Sequence, residues 1–190
     1  MSAAAESSVR VRSSDPRARR MRALPGTVHA AEFKKFFRNH PAGVAVVTAD
    51  PGDGPVGLTA TSIITISAEP PLLAFSLASE SSATPALRRA ETVLVHLLSV
   101  EDLPTAQRFA TSGVDRFAEP TRWSRLETGE PLLDGVGAWL RGRVVNKMDA
   151  GGSVVVAVQP LETQVPDAGE APLVYHNRTW HALGEESRLS

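Results

Sequence analysis

Residues 57–89 read GLTATSIITISAEPPLLAFSLASESSATPALRR, and the fold follows from how this stretch divides. Its first part is β-branched and carries Thr59, Thr61, Ser62 and Thr65, so the period-two alternation of a strand turns some hydroxyls away from the core and toward a ligand. Glu69-Pro70-Pro71 cannot continue a central ladder, because proline has no N–H to donate, and a second strand follows over Leu72 to Leu77. The chain turns back between them. Ser79 to Pro85 then leads into Ala-Leu-Arg-Arg-Ala, with Thr84 expected as an N-cap and Pro85 at the first helical position. Free N–H groups at a helix start, preceded by serine hydroxyls, form an anion site of phosphate size.

The remaining composition bounds the possibilities. The 190 residues are 42% hydrophobic and 22% charged, which suits one domain with a sizeable core. A formal net charge of −1 offers no global attraction to nucleic acid or anionic lipid, and no apolar run approaches the roughly 20 residues that span a bilayer. Neither a nucleic-acid nor a membrane partner is expected. With no cysteine, disulfides, thiolate metal sites and a cysteine nucleophile are excluded. Residues 1–26 are arginine-rich with few large apolar side chains and are expected to form a disordered basic tail; residues 27–190 form the domain. Arg19-Arg20 lacks the apolar segment that an export signal needs after it, so a cytoplasmic protein is expected.

Phe33, Phe36 and Phe37 fall at helical spacing among charged residues, predicting a helix that covers one end of the core. Gly43 to Thr48 is a strand, joined to the opening stretch through the turn-rich Asp50 to Pro55. Thr92 to Ser99 is a buried strand in which His96 is expected to be a satisfied core histidine. Ser99, followed by Glu101 and Asp102, caps an amphipathic helix through Ala110. Residues 115–129 read as loop. Pro131 to Leu133, Ala138 to Met148 and Ser153 to Val158 are strands, and Leu173 to Tyr175 and Thr179 to Leu183 flank a tight turn.

About seven strands with three isolated helices in no regular alternation argue against a doubly wound sheet. The expectation is a mainly β fold, a six- or seven-stranded antiparallel split barrel with capping helices, which manages its exposed edges by closure. Glycine-rich dinucleotide and phosphate-loop signatures are missing, as is a Gly-x-Ser-x-Gly elbow. The five histidines have no metal spacing, and no metal site is assigned.

The order PAGVAVVTA, the 57–89 stretch, Asp115-Arg116-Phe117, PLLDGVGAWLRGRV and PLVYHNRTWHAL resembles the flavin-reductase-like family of FMN-binding split barrels over Phe33 to Leu183. The most specific part is the Gly-x-Thr-x-x-Ser strand, the Pro-Pro-Leu strand and the serine-rich turn. The resemblance implies a homodimer that holds FMN or FAD near the subunit interface, reduces it with NADH or NADPH, and supplies reduced flavin to a partner monooxygenase. An isoalloxazine needs hydroxyl and backbone donors on an apolar wall; Thr59, Ala60, Thr61, Ser62 and Ile63 supply such an edge. The flavin phosphate is expected at Ser81, Ser82 and Thr84, with Arg116, or second Arg88, as the cation.

Where the family commonly carries Gly-Asp-His, this chain has Gly151-Gly152-Ser153, so two side chains near the reacting rings are lost. His176, beside Tyr175, is the candidate substitute, the alternative being an exposed turn histidine. Besides a flavin reductase, a split-barrel oxidoreductase that keeps its flavin bound and acts on another small molecule, and a non-catalytic flavin-binding protein, fit the same residues.

Overall fold

The computed structural model describes residues 24–167 and 170–189. Its elements in chain order are α1 (Ala30–Phe37), β1 (Ala42–Gly43), β2 (Ala45–Ala49), β3 (Val56–Ala60), β4 (Ile64–Ala68), β5 (Pro71–Ala78), α2 (Thr84–Leu87), β6 (Thr92–Leu97), α3 (Leu103–Ala110), β7 (Trp123–Arg125), β8 (Pro131–Leu133), β9 (Ala138–Ala150), β10 (Ser153–Gln164), β11 (Leu173–His176) and β12 (Thr179–Ala182). Nearly all of the expected basic tail lies outside the described residues.

Seven strands form one sheet in the order β3-β2-β6-β9-β10-β5-β4, and every pairing in it is antiparallel. Its two outermost strands, β3 and β4, are consecutive in sequence and joined only by Thr61, Ser62 and Ile63. A link this short, about 13 Å at full extension, brings the ends of the sheet together, so the sheet is rolled into the expected barrel with a seam at that link. The interior is packed with Val47, Leu58, Phe75, Leu77, Val95, Val154 and Val156 from five of the strands, and Leu87 of α2 is buried against them.

A second cluster lies on the other face, where Ala106 and Phe109 of α3 meet Val46, Leu98, Leu133 and Leu173. Gly57 permits this approach: a Cβ there would stand 2.8 Å from a ring carbon of Phe109 and 3.0 Å from the Val47 carbonyl. The capping box at Ser99 forms as expected, with the Asp102 carboxylate accepting from both the Ser99 N–H and hydroxyl at 2.8 Å. His96 is fully buried as expected. Its Nδ1 bonds the Val46 carbonyl at 3.2 Å and its Nε2 accepts from the Leu133 N–H at 3.1 Å, which sets the tautomer with the proton on Nδ1. Burial, opposed in part by the Val46 bond, lowers its pKa to about 4.

Four expectations are corrected. The helix α1 covers no core: it buries no residue, and Phe33, Phe36 and Phe37 remain 54%, 73% and 49% exposed, because helical spacing defines an apolar face without saying which chain meets it. Trp123, expected in a loop, opens β7, which pairs with β8 in a two-stranded sheet of its own, outside the seven-stranded sheet. The strand β10 runs past Val158 to Gln164; only β9 pairs with it beyond that point, so Pro160 interrupts no ladder on the β5 side. Thr84 is not an N-cap. It is the first residue of the four-residue α2, preceded by Ala83, and its buried hydroxyl donates back to the Ala78 carbonyl at 2.6 Å.

Candidate functional site

The barrel seam carries the hydroxyls singled out in the sequence, and the structure gives each different work. Thr59 donates to the Ala106 carbonyl of α3 at 2.6 Å, so it ties β3 to the helix. Ser62 closes the seam: it accepts from the Ser76 N–H at 2.9 Å and faces the Ser76 carbonyl at 3.3 Å, replacing the ladder that β3 and β5 do not form. Ala60 is buried, Ile63 packs against the barrel core, and Thr61 is exposed. The five residues thus form a continuous wall whose one free hydroxyl is that of Thr61.

At the other end of β3 lies a cleft of about 160 Å³, lined by Gly57, Ser82, Ala83, Val114, Arg116 and Phe117 among others. Residues 34 positions apart in sequence, Ser82 and Arg116, therefore meet in one place. Arg116 donates from its two terminal nitrogens to the Gly57 and Thr111 carbonyls, each at 2.9 Å, while its buried Nε has no partner. Burial holds the guanidinium below the usual arginine value, yet it remains a cation at neutral pH. A buried donor without an acceptor costs about 1–3 kcal/mol, and an anion in the cleft would remove that cost. Ser81 is half-buried beside Ser82, which is exposed.

Arg108 of α3 was read in the sequence only as part of an amphipathic helix, and its role was missed. Its guanidinium donates to the carbonyls of Asp115, Arg116, Ala118 and Glu119 at 2.7, 3.3, 3.0 and 3.2 Å. It gathers the loop around itself and so positions Arg116. A cation one turn before a loop rich in carbonyls was the only available signal.

Arg88 is engaged elsewhere, donating to Asp149 at 2.8 Å beside the β9–β10 turn. That turn contains Gly151 at φ +62°, and the Gly152 carbonyl accepts from the Ser79 N–H at 2.9 Å. The Gly151-Gly152-Ser153 segment is thereby pinned to the start of the serine-rich turn. His176 is not among the residues around Thr61; its ring lies 5.8 Å from that of His181 across the last hairpin, as period-two alternation from Tyr175 requires.

A rolled antiparallel sheet with a hydroxyl seam and a guanidinium-lined cleft at its end defines a class of small-molecule-binding barrel. The chain belongs to the flavin reductase like domain family, whose model matches residues 37–184. It is 42% identical over 155 residues to the NADH:FMN oxidoreductase of Rhodococcus erythropolis, covering 80% of this chain and 81% of that one. It is 34% identical over 157 residues to the reductase component of a flavin-dependent trigonelline monooxygenase from Acinetobacter baylyi, covering 82% of this chain and 50% of the relative. Among solved structures, a flavin reductase domain protein from Arthrobacter sp. FB24 superposes with a TM-score of 0.77 at 34% identity, covering 82% of this chain and 96% of that one.

Proposed function

We propose that this protein is an NAD(P)H:flavin oxidoreductase that delivers reduced flavin to a separate monooxygenase. The observation that carries the reading is the meeting of Ser82 with Arg116, whose buried Nε lacks an acceptor, at one end of the seam wall. A flavin phosphate there would accept from Arg116 and the Ser81 and Ser82 hydroxyls; Thr84 supports the turn through Ala78 instead of donating to the ligand. The ring would lie along Thr59 to Ile63, where Ala60 and Ile63 provide apolar surface and Thr61 and the backbone provide polar edges.

A flavin held along Thr59 to Ile63 with its phosphate at Ser81, Ser82 and Arg116 would supply the acceptor for a hydride from the reduced nicotinamide, the accompanying proton coming from solvent. The chain's own task is to orient and exclude water, and no side-chain acid or base is required. The Gly151-Gly152-Ser153 turn is compatible with this, since it is held by its backbone to Ser79.

A homodimer belongs to the same proposal. Ile64 and Ile66 on the outermost strand β4 are 60% and 54% exposed, and Phe36 projects from a helix that covers nothing in its own chain. An apolar outer strand left open is a pairing hazard, which a second copy would remove. Steady-state NADH and NADPH oxidation, with and without added FMN or FAD, tests the activity: stimulation by free flavin is expected. Turnover that requires a further acceptor, with flavin copurifying, would support the bound-flavin alternative, and no oxidation under any condition would refute both.

A further inference from the structure

The cleft at the Gly57 end of the seam wall holds a carboxylate as well as a guanidinium, for Asp115 lines it together with Arg116 and Ser82. The two neighbouring charges do not neutralise each other. Both terminal nitrogens of Arg116 are taken by the Gly57 and Thr111 carbonyls at 2.9 Å, and among the described residues Asp115 belongs to no ion pair. Nor is the carboxylate free to swing away. Its Oδ1 accepts from the Phe117 N–H at 3.0 Å, and the Asp115 carbonyl is one of the four gathered by Arg108, so side chain and backbone are both tied to the loop that shapes the cleft. A cation that would receive a phosphate and an acid that would oppose it are thus built into the same concavity of about 160 Å³.

We propose that Asp115 holds flavin affinity down, so that FMN passes through the site as a substrate and is not retained as a prosthetic group. The inference rests on the flavin-reductase reading above. A phosphate entering the cleft gains the unpartnered Nε of Arg116 and is repelled by the carboxylate beside it. The acid is exposed, so this repulsion is moderate and is screened by salt. Oxidised and reduced FMN carry the same phosphate. The penalty therefore falls equally on both and acts as a change in uniform binding, which hastens release without touching the reacting ring. A protein that delivers reduced flavin to a separate enzyme needs that release, whereas one that keeps its flavin gains nothing from an acid beside the phosphate.

Asp115→Asn is the direct test, since the amide oxygen still accepts from the Phe117 N–H and only the charge is lost. At about 10 mM salt, where the Debye length is about 30 Å, the variant should bind FMN threefold or more tighter than the wild type, followed by quenching of tryptophan fluorescence. Raising the salt to about 0.3 M should remove most of that gain. Reduced FMN, titrated anaerobically, should gain by the same factor, and riboflavin, which lacks the phosphate, should stay within twofold of the wild type. Glu119→Gln removes an acid from the same loop but outside the cleft lining and should alter none of these affinities. If Asp115→Asn loses riboflavin binding, Asp115→Ser, which also offers Phe117 an acceptor, takes its place with the same outcomes expected. Loss of riboflavin binding in both variants would mean that the carboxylate supports the loop, and would overturn the inference. So would unchanged or weaker FMN binding, an equal gain for riboflavin, a gain confined to one redox form, or a gain that salt does not reduce; the reductase reading would survive each of these. A wild type that binds neither FMN nor riboflavin saturably would instead remove that reading, and this inference with it.

Discussion

His96 makes the stability of this protein depend on pH in a window that its carboxylates do not reach. The folded barrel holds the neutral ring between the Val46 carbonyl and the Leu133 N–H, and its pKa is lowered from 6.5 to about 4, chiefly by burial. The unfolded chain therefore takes up a proton near pH 6.5 that the folded chain refuses until about pH 4. Stability attributable to the neutral ring is complete above pH 6.5, falls as the pH drops through the interval, and is lost once the folded form also protonates. Each unit is worth about 1.4 kcal/mol, so the loss is about 2 kcal/mol between pH 8 and pH 5, approaching about 3 kcal/mol near pH 4. Glu130 is also buried. Burial raises its pKa, but bonds from Thr128, Thr92 and Arg141 outweigh this and leave it lowered; its contribution is complete above the ordinary value of 4.5 and is lost as the pH falls from there toward the lowered folded value. Urea unfolding followed by tryptophan fluorescence at pH 8, 6.5, 5.5 and 5 measures the effect. His96→Phe should be less stable at pH 8 by about 1–3 kcal/mol, since the Val46 carbonyl loses its donor and the Leu133 N–H its acceptor, and its stability should vary much less across the window. A wild-type stability that is flat to within about 0.5 kcal/mol from pH 8 to 5, far below the shift expected by linkage, would refute the assignment. So would an unchanged pH dependence in the variant.

Arg116→Ala should weaken FMN at least tenfold, as expected for the loss of one charge-assisted bond of about 1.5–3 kcal/mol, and leave riboflavin nearly unchanged in fluorescence titrations; equal losses would mean that Arg116 supports the fold instead. Arg88→Ala should change neither affinity, because that guanidinium is held by Asp149. Arg108→Ala should release the 115–119 loop, seen as faster amide exchange there together with weaker FMN binding; unaltered exchange would show that other bonds hold the loop. Ile64→Glu should shift the protein toward a monomer in light scattering, and a wild-type monomer would dispose of the dimer altogether. Gly142→Ala would set a methyl carbon 2.2 Å from Cγ1 of Val158 and 3.1 Å from the Gln159 carbonyl. Its melting temperature should fall by several degrees, the result of about 1–3 kcal/mol of overpacking; an unchanged value would mean that β9 and β10 separate there at no cost.

Most strands were legible because β-branched alternation is local, and so was the buried role of His96, set in an uninterrupted apolar run, though β7 and the far end of β10 were not. The meeting of Ser82 with Arg116 was not legible from spacing, since it depends on a loop gathered by Arg108; only resemblance named Arg116. Thr84 was misplaced by a single position, the usual uncertainty of a helix start, yet that position decides whether its hydroxyl faces a ligand or the Ala78 carbonyl. The exposure of α1 was hidden for a different reason. Periodicity reports that three phenylalanines share a face, and that face can serve a cleft or a second chain as well as a core.

The three-residue link between β3 and β4 makes strand register the ruler of the ligand wall. Five ladders lie between β3 and β5 around the barrel, and the position of Ser62 opposite Ser76 is their sum. A two-residue slip in any one ladder preserves every inward-facing side chain but displaces one rim by about 6.6 Å, half the about 13 Å that an extended strand spans from Gly57 to Thr61. Residues far from any ligand that lock a register, such as Gly142 against Val158, therefore set the gauge of the site as directly as the hydroxyls that line it.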